Sequence, residues 1–150
     1  MAQAAVLPPH LAWVGGNIGT PLVDQLDNIR AGDLVVLELS SFQLELMTCS
    51  PQVAAVLNVT PNHLDRHGTL AAYTAAKARI LDYQQPQDTA VLNRDDPGSW
   101  NLGRRVAGET VSFGFRKPAF AGRSAYLEEE TICWGCDGAE TPVLLRDEIL

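Results

Sequence analysis

The chain carries little positive charge, and only two of its 150 residues are lysines, Lys77 and Lys117. Eleven basic residues stand against eighteen acidic ones, which gives a net charge of −7. Nucleic acids and anionic membranes attract positively charged surfaces, so this composition argues against both as partners. The segment MAQAAVLPPH also lacks the basic and apolar regions of a secretion signal, and no apolar run is long enough to span a membrane. We therefore expect a cytoplasmic protein.

Cysteine is equally scarce. Three cysteines, an odd number, argue against a secreted disulfide scaffold. Cys133 and Cys136 form a C-x-x-C motif, which a redox pair or half of a zinc site would use. However, no second pair supplies four ligands, and Cys49 stands alone. The letters GCDG instead predict a hairpin turn between TICW and TPVLL.

The pattern of apolar residues predicts one compact α/β domain. Five short runs read as strands: LAWVGG, DLVVLELS, QVAAVLNVT, TAVLN and TVSFGF. Apolar residues are continuous and not alternating in the first four of these runs, which is typical of parallel strands buried on both faces. TPLVDQL predicts a short helical stretch, and TLAAYTAAKARILDYQ predicts a long helix with Thr69 as its N-cap. After Arg116 the pattern indicates short antiparallel pairs. The prediction is a mostly parallel, doubly wound sheet with a small antiparallel sheet near the C-terminus.

Polar residues follow each predicted strand. In an open parallel sheet, ligands bind beyond the carboxyl ends of the strands, so these residues are the candidate site. They comprise Asn17 after the first strand; Glu38, Ser40, Ser41 and Gln43 after the second; His63 after the third; and Asn93, Arg94 and Asp96 after the fourth. Glu38 lies inside an apolar pattern that predicts burial, and a buried carboxylate needs a partner or a metal ion.

Four segments occur in an order and spacing that resemble the central ATP-binding domain of the Mur ligases. They are GGNIGTP, LELSSFQLE, LNVTPNHLDRHGTLAAYTAAKARI and VLNRDD. The segment ELSSFQLE resembles the corresponding motif of the family member that adds D-glutamate to UDP-N-acetylmuramoyl-L-alanine. The resemblance implies an ATP-dependent amide ligase of peptidoglycan precursor synthesis that forms an acyl phosphate intermediate.

The same resemblance implies roles for individual residues. Glu38 would bind Mg²⁺ between the β- and γ-phosphates of ATP, and His63 would hold a second Mg²⁺. Lys77 would react with carbon dioxide to form a carbamate that binds or orients the second metal ion, a reaction that needs a neutral amine. The alternative for Lys77 is an exposed helix lysine paired weakly with Asp82 or another neighbour. Looser assignments place Asn17, Ser40, Ser41 and Gln43 at the substrate, and Asn93 and Asp96 near the adenosine. Arg94 departs from the family pattern, and we expect its side chain to point to solvent.

No glycine-rich phosphate loop ending in Gly-Lys-Thr precedes GGNIG. The resemblance therefore implies that residues 1–150 are a partial central domain without its first strand, its phosphate loop, the N-terminal UDP-binding domain or the C-terminal domain. Such a fragment is expected to be inactive. It is also expected to self-associate through the open sheet edge of LAWVGG and LVVLEL, or to cover that edge with its N-terminal residues. Two other functions remain open: another Mur or folylpolyglutamate-type ligase, and a non-catalytic nucleotide-binding module.

Overall fold

The chain divides into two compact units, with the boundary between Gln43 and Leu44. The structure, a computed structural model, describes residues 10–145 and residue 148. Its described strands form two sheets, one of two strands and one of six, and no backbone ladder joins them. The α/β class and the predominance of parallel pairs are as predicted. Backbone pairing stops after the second strand and resumes only within the second group of strands, so the two units are described separately. That residues 1–150 belong to one domain stays a prediction.

The first unit contains β1 (Ala12–Gly16), a 3-10 helix (Leu22–Asn28) and β2 (Leu34–Glu38). The strands pair in parallel, and Gly16 lies opposite Glu38 at their carboxyl ends. The predicted burial on both faces is wrong here, since all five residues of β2 are exposed. The physical reason is that a sheet of two strands has too little surface around it to cover its apolar side chains.

Asp33 ties the amino ends of these strands together. Its carboxylate accepts hydrogen bonds from the backbone nitrogen of Leu11 at 3.0 Å, from that of Arg30 at 2.9 Å and from the indole nitrogen of Trp13 at 2.9 Å. These donors stabilise the charged form, and the two backbone bonds contribute most. The pKa of Asp33 is lowered to about 2.

The one-turn helix α1 (Ser41–Leu44) spans the boundary, and the other elements of the second unit follow it. In chain order, these elements are β3 (Val53–Val56), α2 (Leu64–His67), α3 (Leu70–Ala78), β4 (Thr89–Asn93), α4 (Pro97–Trp100), a 3-10 helix (Asn101–Arg105), β5 (Glu109–Gly114), β6 (Ser124–Glu128), β7 (Thr131–Cys136) and β8 (Ala139–Leu145). Strands β3 to β6 pair in parallel, whereas β6, β7 and β8 pair antiparallel. The predicted antiparallel pairs are thus confirmed, and they extend the parallel sheet at its margin.

Helix α3 begins as the sequence predicts. The hydroxyl group of Thr69 accepts a 3.1 Å hydrogen bond from the backbone nitrogen of Ala72, so Thr69 is the N-cap. The α-helix ends at Ala78, earlier than the predicted stretch. From Arg79 to Asp82 the backbone nitrogens bond to the carbonyl oxygen of the third residue back, which is the tighter 3-10 pattern, and Leu81 in this turn is buried.

The core lies in the second unit, between α3 and the first strands of the sheet. Leu81 and Leu92 are almost fully buried there, as are Ala78 and Ala90. Burial of a leucine side chain of this kind contributes about 1.5–3 kcal/mol to folding. Strands β3 and β4 bury alternate residues, so each has one covered face and one more open face. This alternation corrects the prediction that both faces are buried.

The predicted hairpin turn is confirmed. Asp137 and Gly138 both have positive φ, at 51° and 84°, which is the backbone of a type I′ turn between β7 and β8. Cys133 and Cys136 are three residues apart on β7, so their side chains point to opposite faces of the sheet. Among the residues described, no helix is long and apolar enough to cross a lipid bilayer.

Candidate functional site

In the first unit, the structure brings together two of the predicted site residues, Asn17 and Glu38. The side-chain amide of Asn17 donates a 3.0 Å hydrogen bond to the Glu38 carboxylate, and its backbone nitrogen donates to the Glu38 carbonyl oxygen at 2.7 Å. The contact forms because the parallel strands β1 and β2 end in register. Glu38 is exposed and not buried, which corrects the premise drawn from its apolar surroundings. Its partner is an amide, and its carboxylate is open to ligands.

Gly16 makes this contact possible. Its φ is +102°, and a Cβ atom at this position would lie 2.2 Å from the Glu38 carbonyl oxygen. A side chain would therefore push apart the strand ends that bring Asn17 to Glu38. The glycine-rich turn GGN is needed for the backbone to pass β2 this closely.

The residues after Glu38 bond mainly to one another. The side-chain oxygen of Gln43 accepts hydrogen bonds from the backbone nitrogen and the hydroxyl group of Ser40, both at 2.9 Å, and Ser40 Oγ accepts from the Gln43 backbone nitrogen at 3.3 Å. This reciprocal arrangement is a capping box at the start of α1. Ser41 is buried. The letters SSFQ thus have a structural role, and their assignment to the substrate stays a prediction.

In the second unit, Lys77 points to the loop that follows β3. Its Nζ atom donates a 2.8 Å hydrogen bond to the backbone carbonyl oxygen of Asn58 and lies 5.2 Å from the centre of the Tyr73 ring. The alternative pairing with Asp82 is not seen, because Asp82 pairs with Arg105 at 2.6 Å. Both contacts of Lys77 suit an ammonium group, whereas carbamate formation needs the lone pair of a neutral amine.

Asn93 and Asp96 connect the same loop to the end of β4. The side-chain amide of Asn93 donates to the Leu57 carbonyl oxygen at 2.9 Å. Asp96 accepts from the backbone nitrogens of Val59 at 2.9 Å and Ser99 at 2.6 Å, and so acts as the N-cap of α4. Asn93 and Asp96 therefore lie together at the end of β4, beside the loop after β3, whereas Asn17 and Glu38 belong to the separate sheet of β1 and β2. The contacts found are structural, and the adenosine assignment stays a prediction.

His63 lies just before α2 with a positive φ of 50°. Its backbone nitrogen donates to the Asn62 side-chain oxygen at 2.9 Å, and its carbonyl oxygen accepts from the backbone nitrogens of Arg66 and His67. The residue is exposed, so its imidazole is accessible. His63 is in the same unit as Lys77, Asn93 and Asp96, whereas Glu38 and Asn17 belong to the first unit.

Arg94 does not point to solvent, which corrects the expectation for it. Its guanidinium donates to the Ser112 hydroxyl oxygen at 3.2 Å, to the Ala125 carbonyl oxygen at 3.3 Å and to the Arg116 carbonyl oxygen. It therefore joins β5, β6 and the loop after β5. Loss of contact with water lowers the pKa of Arg94 from its usual value.

One group of contacts was not foreseen from the sequence. His67 Nδ1 lies 2.9 Å from the carboxylate of Glu45, and the His67 side chain is 1% exposed. The imidazole packs edge-on against the Tyr73 ring, with ring centres 5.2 Å apart. Both His67 and Glu45 lie inside segments that resemble the family. Their separation in the sequence does not predict a contact, because these side chains meet only when α2 and α3 pack in the folded chain.

The donor types fit Mg²⁺ only in part. Glu38 supplies the carboxylate oxygen that this ion prefers, and the Asn17 amide holds that carboxylate in place. His63 supplies a nitrogen ligand, which Mg²⁺ favours less than oxygen. The Lys77 amine donates a hydrogen bond to the Asn58 carbonyl oxygen and in this form does not bind a metal ion. Within residues 10–145 and 148, no group of three or more His, Cys, Asp or Glu side chains is arranged to hold a metal ion.

A comparison with protein families places most of the chain in one family model. The model of the Mur ligase middle domain matches residues 16–138 of the chain. This match covers both sides of the unit boundary and includes every candidate site residue from Asn17 to Asp96.

Relatives that share one name are found in several bacteria. The UDP-N-acetylmuramoylalanine–D-glutamate ligase of Symbiobacterium thermophilum is 44% identical over 137 residues, which are 91% of this chain and 30% of that protein. The ligase of that name from Pelotomaculum thermopropionicum is 50% identical over 105 residues, which are 69% of this chain and 23% of that protein. The chain thus spans less than a third of the length of these relatives.

Solved structures show the same fold at lower identity. A UDP-N-acetylmuramoyl-L-alanyl-D-glutamate–2,6-diaminopimelate ligase has a TM-score of 0.61 and 20% identity, and the match covers 93% of this chain and 39% of that one. The MurF ligase of Thermotoga maritima, solved in complex with ADP, has a TM-score of 0.53 and 19% identity, with 89% and 39% covered.

Proposed function

This chain belongs to the Mur ligase family, in which it corresponds to the middle domain, and we propose that it is the ATP-handling part of a cytoplasmic ligase that adds D-glutamate to UDP-N-acetylmuramoyl-L-alanine. The relatives that are 44% and 50% identical carry the name of that activity, and a ligase of the same fold was solved with ADP. The observation that carries the proposal is the Asn17–Glu38 contact, because it holds an exposed carboxylate at the carboxyl end of a parallel pair of strands.

The reaction proposed is phosphorylation of the substrate carboxylate by ATP, followed by attack of the D-glutamate amine on the acyl phosphate and release of phosphate. Bound Mg²⁺ would neutralise charge on the phosphates during this transfer. Glu38 would hold the ion, and the Asn17 amide fixes the carboxylate that does so. His63 and Lys77, the latter as a carbamate, would serve a second ion. For that role the Lys77 amine has to lose its hydrogen bond to the Asn58 carbonyl oxygen.

Asn93, Asp96, Ser40, Ser41 and Gln43 have supporting roles in this proposal. Asp96 and Asn93 fix the loop after β3, which also receives the Lys77 amine, so they shape the region in which the nucleotide would bind. Ser40 and Gln43 fix the start of α1 directly after Glu38. The chain by itself would be inactive, because it spans less than a third of the length of the relatives that carry the name of this activity.

A chimera tests the proposal. This chain would replace the matching segment of the Symbiobacterium thermophilum ligase, and ATP-dependent phosphate release would be measured with UDP-N-acetylmuramoyl-L-alanine and D-glutamate. We expect activity, and we expect Glu38→Ala to lower kcat by at least about a hundredfold, because the charge on the phosphates is then poorly neutralised. Asp24→Asn, which removes an exposed carboxylate from the same unit as Glu38, is the matched control for loss of charge.

The substrate range separates the alternatives. Activity that is equal or higher with another amino acid than with D-glutamate would favour a different Mur or folylpolyglutamate-type ligase. A folded chimera that binds ATP and has no ligase activity with any amino acid would favour a non-catalytic nucleotide-binding module. Equal activity of Glu38→Ala and the parent chimera would remove Glu38 from the site.

We also propose that the chain by itself self-associates through β2. Four apolar residues of this strand are 36–48% exposed, namely Leu34, Val35, Val36 and Leu37. The edge of β2 that faces away from β1 pairs with no other described strand. A second copy can both pair with this edge and cover the apolar side chains. The alternative cover, the N-terminal segment, lies outside the described residues.

Light scattering over a concentration series tests this association. We expect mass to rise with concentration, and Val36→Lys to suppress the rise by placing a charge in the contact. Leu46→Lys is the matched control, because Leu46 is 83% exposed and lies in the second unit. A parent chain that stays monomeric throughout the series would contradict the proposal.

A further inference from the structure

We infer that Glu45 and His67 are positioning residues that direct the amine of Lys77 through the ring of Tyr73. The functional purpose of this arrangement rests on the role proposed for Lys77 above. The four residues come from three parts of the second unit: the segment after α1, helix α2 and helix α3. They form one continuous series of contacts that ends at the loop after β3.

The first contact fixes the imidazole. His67 Nδ1 lies 2.9 Å from the Glu45 carboxylate, and with the His67 side chain 1% exposed, water hardly competes for this contact. Glu45 itself is about half exposed, so its carboxylate stays solvated while it orients the ring. The His67 backbone nitrogen also bonds to the carbonyl oxygen of His63 at 3.0 Å, which fixes α2 at the residue proposed to bind metal.

The second contact is between the imidazole of His67 and the ring of Tyr73, and it restricts the orientation of that ring. The imidazole meets the Tyr73 ring edge-on, at 5.2 Å between centres and 66° between planes. Tyr73 is 5% exposed and belongs to the core. An edge-to-face pair of this geometry restricts both rings, since each one limits the rotation of the other.

The third contact directs the amine. Lys77 follows Tyr73 by four residues on α3, so the two side chains lie on the same helix face. Lys77 Nζ lies 5.2 Å from the centre of the Tyr73 ring and 2.8 Å from the Asn58 carbonyl oxygen. The ring holds the flexible side chain on one side, and the carbonyl oxygen holds its end. A displaced Tyr73 ring would free Lys77 to swing into solvent.

The purpose of such a series is to hold a long, flexible side chain in one place. A lysine loses much of its side-chain entropy when it is ordered, so a reactive amine gains from neighbours that are already rigid. Glu45 and His67 provide that rigidity without touching the amine. They are therefore positioning residues, and the side chain whose position they restrict is that of Lys77.

The presence of only two lysines makes this inference measurable. A chain labelled with ¹³C at lysine Cε gives two methylene signals, one from Lys77 and one from Lys117. The Tyr73 ring shifts the Lys77 protons upfield, whereas Lys117 pairs with Glu140 and serves as the internal reference. We expect Glu45→Ala and His67→Ala to move the Lys77 signal at least halfway to its position in Tyr73→Leu, which removes the ring.

A second readout is the reactivity of the amine. Competitive acetylation with mass spectrometry gives the Lys77 to Lys117 ratio within one sample. We expect the ratio to rise about three- to tenfold in Glu45→Ala and His67→Ala, because a hydrogen bond that shields the amine is weakened. Glu45→Gln retains an acceptor for His67 and should rescue the parent value, which a role in charge alone would not predict.

Controls separate positioning from stability. Glu109→Ala removes the pair of Glu109 with Arg123 in the same unit and should leave the Lys77 signal unchanged. If His67→Ala fails to fold, Glu45→Ala carries the test, because Glu45 is half exposed. An unchanged Lys77 signal in Glu45→Ala, or in Tyr73→Leu, would overturn the inference. Neither readout needs ATP, so an inactive chimera would refute the proposed function and leave the positioning intact.

Discussion

The indole nitrogen of Trp13 donates a 2.9 Å hydrogen bond to the carboxylate of Asp33, which joins the amino ends of β1 and β2. Two backbone nitrogens, those of Leu11 and Arg30, bond to the same carboxylate. The contact makes the first unit sensitive to acid, since protonated Asp33 accepts these bonds poorly.

The first prediction is an acid transition in this unit. The pKa of Asp33 is lowered from 3.8 to about 2, so its contribution to stability is complete above about pH 4 and is lost as pH falls through 2. An NMR titration should place the midpoint for the Trp13 indole proton near pH 2. Asp33→Asn should remove this transition. A Trp13 midpoint near 3.8 in the parent chain would contradict the prediction.

The second prediction concerns the cap of α4. Asp96→Ala removes the acceptor for the backbone nitrogens of Val59 and Ser99, which should cost about 1–2 kcal/mol of local stability. Hydrogen exchange should show faster exchange at both amides. Asp96→Asn is the control, because it retains an oxygen in the capping position. Equal protection in all three chains would show that the cap contributes nothing.

The third prediction concerns the strand ends at Glu38. Gly16→Ala should destabilise the first unit, because its Cβ would overlap the Glu38 carbonyl oxygen at 2.2 Å and its φ is +102°. Gly19→Ala is the matched control: it also has positive φ but meets nothing within 4 Å, so only a backbone cost of about 1–2 kcal/mol applies. Exchange of the Asn17 amide measures both. A larger loss in Gly19→Ala would contradict the assignment.

The fourth prediction concerns the C-x-x-C motif. Cys133 and Cys136 point to opposite faces of β7, so about 10 Å of strand separates side chains that also face apart. Mild oxidation should therefore give no disulfide between them, as measured by mass spectrometry of the peptides. Cys49 is exposed and serves as the control for thiol reactivity. A peptide that links Cys133 to Cys136 in the folded chain would overturn the strand register.

Several local features could be read from the sequence because they depend on neighbouring residues alone. Thr69 as an N-cap and the Asp137–Gly138 turn are examples, since each depends on the intrinsic preferences of one or two residues. The strands could also be predicted, because short apolar runs bounded by glycine and asparagine rarely form any other secondary structure. The candidate residues at the end of each strand then follow from the parallel pairing, which places the Asn17 amide against Glu38.

The features that the sequence could not determine depend on which surfaces meet. Glu38 was expected to be buried, but a two-stranded sheet leaves it exposed, because burial is set by neighbouring strands and not by the apolar letters around the residue. Arg94 was expected to face solvent, but packing brings it across β5 and β6. The contact of His67 with Glu45 and Tyr73 is likewise a product of packing between helices. The sequence by itself determined the elements and their order, since these follow local propensity, whereas only the tertiary structure decided burial and side-chain partners, which depend on residues far apart in the chain.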